Sequence, residues 1–193
     1  MTNPAAAPVI APVPPVLEEL HTAAAAAGLT VTASAFWPEA DDGEVTPLAG
    51  FIESTFSPLI AQVAVRALER REQPPPGRTT AIVIVTALGD VTSARRVAAA
   101  VDHGDRVFPL FFFQSVPNAI AGYLAARWHL TGPVVCVSAA SAGLDVAALL
   151  IEDADADDAL VVRVDLVTTD GDRDRAAAIL VTGTTSQYSL GTA

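Results

Sequence analysis

The stretch Thr80-Ala-Ile-Val-Ile-Val-Thr86 is apolar throughout and strand-length, with Gln73-Pro-Pro-Pro-Gly77 breaking the chain just before it. A strand with one wet face alternates apolar and polar residues, whereas a strand covered by helices on both faces does not. This run therefore calls for a sheet buried on both sides, which makes the fold an α/β layer.

The rest of the chain supplies the partners such a strand needs. Leu29 to Phe36 alternates and is rich in β-formers, so it reads as a first strand. Val134 to Ser138 forms a short strand introduced by Pro133. Ala159 to Thr168 and Ala176 to Thr182 make a hairpin about the loop Asp170-Gly-Asp-Arg-Asp174. Helices are expected over Glu18–Ala27, ended by Gly28, and from Ser57-Pro58 to Arg71, with proline at the first helical position. Further helices are expected over Ser93–Val101, over Ser115–Trp128 with Ser115 as its cap, and over Ala140–Ile151 with Ser141 at its start. The result is a mixed five-stranded sheet with helices on its faces. Residues 1–16 read as a disordered Pro/Ala-rich lead, 17–183 as one domain and 184–193 as a polar tail.

Charge narrows the partners. The net charge is −11, with eleven arginines and no lysine, so the basic face that nucleic acid or an anionic membrane requires is missing. The single cysteine, Cys136, cannot form an internal disulfide, and the proline-broken N-terminus lacks a basic segment ahead of an apolar one. A cytoplasmic protein is expected. Hydrophobic residues make up 51% of the chain and the mean hydropathy is +0.42. Two readings stay open: abundant alanine, or a large apolar interface.

Residues Phe108 to Val146 read FPLFFFQSVPNAIAGYLAARWHLTGPVVCVSAASAGLDV. Ser115, Asn118, Ala121, Gly122, Ala125, Arg127, Leu130, Gly132 and Pro133 follow the spacing that leads into the nucleophile elbow of the β-ketoacyl synthases, which this segment resembles. The strand Ala159-Leu-Val-Val-Arg-Val-Asp165 and the strand Arg175-Ala-Ala-Ala-Ile-Leu-Val181 are similar to two further stretches of that family, with Arg163 in place of a usual glycine. The resemblance implies a thiolase-like half that lacks the C-terminal half and its two catalytic histidines. Ser141 stands where the family places its cysteine.

Serine needs an adjacent base, and His21, His103 and His129 stand in no matching motif. Ser141 is thus expected to be silent, serving as a helix cap. Cys136 is expected to be a buried, inert thiol. Asp153, Asp155, Asp157 and Asp158 lack calcium-loop spacing and read as a solvated face. No metal site and no cofactor are expected. Phe111, Phe112 and Phe113 cannot all face one core in either regular period, so at least one must meet a second surface.

With the cysteine replaced and Ala142-Gly-Leu-Asp145 in the elbow, the resemblance narrows to the chain-length factors, the non-catalytic partners of type II polyketide ketosynthases. It implies a heterodimer with a full-length ketosynthase and, through that complex, an acyl carrier protein. Phe111, Phe112, Phe113 and Val116, with the strand residues Val134, Val135, Cys136 and Val137, would then bound the acyl tunnel and the subunit interface. The rival reading is a free-standing acyltransferase or thioesterase using Ser141, and a third is a ligand-free homo-oligomeric scaffold.

Overall fold

The computed structural model describes residues 13–73, 76–107, 109–167 and 173–184. The expected lead up to residue 12, Phe108, residues 170–172 of the hairpin loop and the tail beyond 184 lie outside them. The elements in chain order are α1 (Pro15–Ala26), β1 (Leu29–Trp37), α2 (Phe56–Arg70), β2 (Thr80–Val85), α3 (Val91–His103), α4 (Pro109–Gln114), α5 (Pro117–Trp128), β3 (Val134–Val137), α6 (Ala140–Glu152), β4 (Asp158–Asp165) and β5 (Arg175–Gly183).

The five strands form one sheet in the order β1-β5-β4-β2-β3. β2 runs parallel to both β3 and β4, while β5 is antiparallel to β4 and β1. Every residue of β2 is buried, as the unbroken apolar run demands. Successive side chains point to opposite faces. Ile82, Ile84, Leu160, Val162, Val164, Ala176, Ala178 and Leu180 pack with α2 and α5, whereas Val83, Val85, Val161, Ile179 and Val181 pack with α1 and α6. Two helices on each face give three layers.

Helix α1 begins at Pro15, with proline in its first turn and Val16, Leu17, Leu20 and Ala24 buried, so the folded part reaches into the stretch expected to be a lead. The expected helix over Ser115–Trp128 is α5, which starts two residues later at Pro117 and is preceded by a short helix, α4, that the sequence reading did not include. Val116, in an extended conformation, separates them, and the Ser115 hydroxyl donates back to the Phe112 carbonyl at 3.0 Å instead of capping α5. Pro117 opens α5, as its fixed φ and missing N–H allow. Helix α3 starts at Val91, because Asp90 accepts from the Ser93 amide at 3.0 Å and from its hydroxyl at 2.6 Å. No described helix is long and apolar enough to cross a membrane.

Gly132 sits where β3 turns in beside β2, and its amide donates to the Thr80 carbonyl at 3.1 Å. A Cβ there would stand 2.5 Å from that oxygen and 2.6 Å from the Ala81 nitrogen, both backbone atoms of β2. Neither can swing aside. Gly132→Ala is expected to cost about 2 kcal/mol and lower the melting temperature by roughly 4–8 °C, as read by differential scanning calorimetry. An unchanged melting temperature would refute the close approach.

Candidate functional site

β3 lies on one side of β2 and β4 on the other, with α5 linking β2 to β3 across one face and α6 returning from β3 to β4 across the opposite face. The strand order thus reverses at β2, and the crevice outside the carboxyl ends of strands at such a point is where α/β proteins hold ligands. Here that end presents residues 86–90 after β2 and the start of α6 after β3. Gly143 brings the first turn of α6 onto the sheet: a Cβ would meet Val85 Cγ2 at 2.7 Å and Val137 Cγ2 at 3.4 Å. The small residues of the elbow are what let the helix start so close to the strands.

Ser141 is the second residue of α6 and is exposed. It is not the cap. Ala139, extended at φ −130° and ψ 145°, holds that position and offers no side-chain hydrogen bond. His21 on α1, His103 at the end of α3 and His129 after α5 are all exposed, and His103 Nδ1 lies 2.6 Å from the Ala99 carbonyl. Among the described residues no histidine or carboxylate is hydrogen-bonded to Ser141, and no cluster of three His, Cys, Asp or Glu could hold a metal ion. The helix start can favour a negative charge. It supplies no base to create one on a hydroxyl.

Cys136 departs from expectation. β3 is an edge strand paired only with β2, and its burial alternates, so the Cys136 thiol is exposed rather than inert in a core. The partial burial that remains pushes its pKa up, which lowers its reactivity. Val134 is exposed as well, while Val135 and Val137 turn half inward. The aromatic run splits as its spacing requires: Phe111 is buried, whereas Phe112 and Phe113 are 54% and 66% exposed and Val116 is 51% exposed. The structure therefore gathers an open strand edge and three large apolar side chains within one stretch of chain. No Asp or Glu occurs between Asp105 and Asp145, although the chain holds 22.

The acidic run also needs correcting. Asp153 and Asp155 are exposed, but Asp158 is buried and paired with Arg78 at 2.7 Å, and Asp157 accepts from the Thr79 amide at 2.7 Å. These two pin the start of β2 to the start of β4.

A polar frame at the carboxyl end went unread in the sequence. Ser54 donates to Asp90 and Thr55 to Asp174, each at 2.6 Å, and Glu53 pairs with Arg96. These bonds hold the loop before α2, where Val45, Leu48, Phe51, Ile52 and Pro58 line an open concavity of about 640 Å³. The Asp-x-x-Ser spacing at Asp90 was the signal available; the other partners are remote in sequence.

Residues 22–187 match the model of the beta-ketoacyl synthase N-terminal domain. The chain belongs to that family. No curated protein sequence matches it. Among solved structures it is similar to a chain of the ketosynthase ApeO in complex with its chain length factor ApeC from Xenorhabdus doucetiae, with a TM-score of 0.62 at 16% identity. That match covers 81% of this chain and 79% of the other, so the two are nearly equal in length. It is also similar to the ishigamide ketosynthase/chain length factor, with a TM-score of 0.60 at 18% identity over 78% of this chain and 50% of that one. A Streptomyces albus JA3453 oxazolomycin ketosynthase domain gives 0.52 at 14% identity, covering 66% of this chain and 27% of the other. The chain therefore spans about half, or less, of these two longer relatives, and the shared feature is the thiolase-like fold of the beta-ketoacyl synthase N-terminal half.

One ion-pair network shapes the loop after β1. Arg66 donates to Asp42 at 2.7 and 2.5 Å and Arg70 to Glu39 at 2.8 Å, tying the segment after β1 to α2. The arginines hold both carboxyls below the usual carboxylate range. A depressed folded pKa adds stability above the unfolded value, and that stability is lost as pH falls through the folded one. Thermal melts below pH about 4 are therefore expected to lose stability more steeply in the parent than in Asp42→Asn. Parallel acid limbs for the two proteins would show the network contributes nothing.

Proposed function

We propose that this chain is a non-catalytic, chain-length-factor-like subunit that pairs with a full-length ketosynthase, stabilises it and helps bound its acyl tunnel in type II polyketide assembly. One observation carries this reading: the strand that leads to the nucleophile elbow is an open edge, and the elbow itself holds an unassisted serine. An edge strand is a row of unpaired N–H and C=O groups that invites another strand. Here the edge is short and uncharged, and exposed Phe112, Phe113 and Val116 lie in the same carboxylate-free run of chain. A partner of the same fold can extend the sheet across it and cover the aromatics in one step.

The likeness to chains solved as ketosynthase with chain length factor supports the same assignment. The complex would work in the cytoplasm and meet an acyl carrier protein through its catalytic partner. The rival reading, an acyltransferase or thioesterase using Ser141, lacks the base that a serine nucleophile requires.

Ser141→Ala is expected to leave condensation by the reconstituted complex within a few-fold of the starting rate, since loss of a working nucleophile costs several orders of magnitude. An acyl adduct on Ser141 by intact-mass spectrometry would decide for the rival. The aromatics test the tunnel. Phe112→Ala, Phe113→Ala or Val116→Ala is expected to shift products one or two acetate units longer, because a steric wall has been removed at a site where each added methylene is worth only about 0.8 kcal/mol. Phe111→Ala is expected to act on stability instead, by about 3–5 kcal/mol, because that ring is buried. Unchanged product lengths in the first three variants, each in a folded complex, would remove the tunnel role.

A further inference from the structure

We draw no further inference here: the strongest candidate, the open apolar concavity of about 640 Å³ that Val45, Leu48, Phe51, Ile52 and Pro58 line in the loop before α2, is bordered by Glu53, Ser54 and Thr55 whose side chains are already bonded to Arg96, Asp90 and Asp174, and nothing in the structure shows what covers it.

Discussion

Keeping both faces of β2 and β4 dry is the constraint on which the other elements depend. Each strand is buried along nearly its whole length, and their backbones are satisfied only by neighbouring strands. Helices α2 and α5 cover one face, α1 and α6 the other. The cost of that burial shows where the layers touch most closely. Gly132 and Gly143 sit where a side chain would strike β2, at its backbone for the first and at Val85 for the second. The second of these also fixes where α6 begins, so the packing of the core and the placement of the elbow are one requirement.

Helix α1 has a particular part in this arrangement. The family match begins at residue 22, within α1, so its buried Val16, Leu17 and Leu20 precede the matched residues. They cover the sheet above β1 and β5, beside α6. That face is therefore closed by α1 together with α6, whereas the β3 edge and Phe112 and Phe113 of α4 stay exposed among the described residues. Phe112, Phe113, Val116 and Val134 are exposed within the run without Asp or Glu, whereas the exposed Val13, Ile52, Leu88, Val101 and Leu149 lie outside it. Elsewhere several carboxylates are engaged in structural tasks: Asp90 and Asp174 hold the loop before α2, Asp157 and Asp158 align two strand starts, and Glu39 and Asp42 tie the loop after β1 to α2.

The sequence by itself determined the layer class, the five strands and the loss of the cysteine, because each is written locally. A continuous apolar run means a doubly covered strand, alternation marks β1, and residue identity at the elbow is legible without coordinates. It also determined that the three phenylalanines must divide between two surfaces. What only tertiary structure decided is which strand lies at the edge, since strand order depends on pairing between residues far apart: Cys136 reads as core by its valine neighbours and becomes exposed because no described strand pairs beyond β3. The cap of α6 moved to Ala139 and Ser115 turned back to α4 because backbone geometry at helix junctions is set by how the helices pack. Helix α3 shows the same division. Its apolar face is a property of the sequence, but that Ser93 is buried and Val97 and Ala100 half-buried while Val101 meets water follows from how the helix packs.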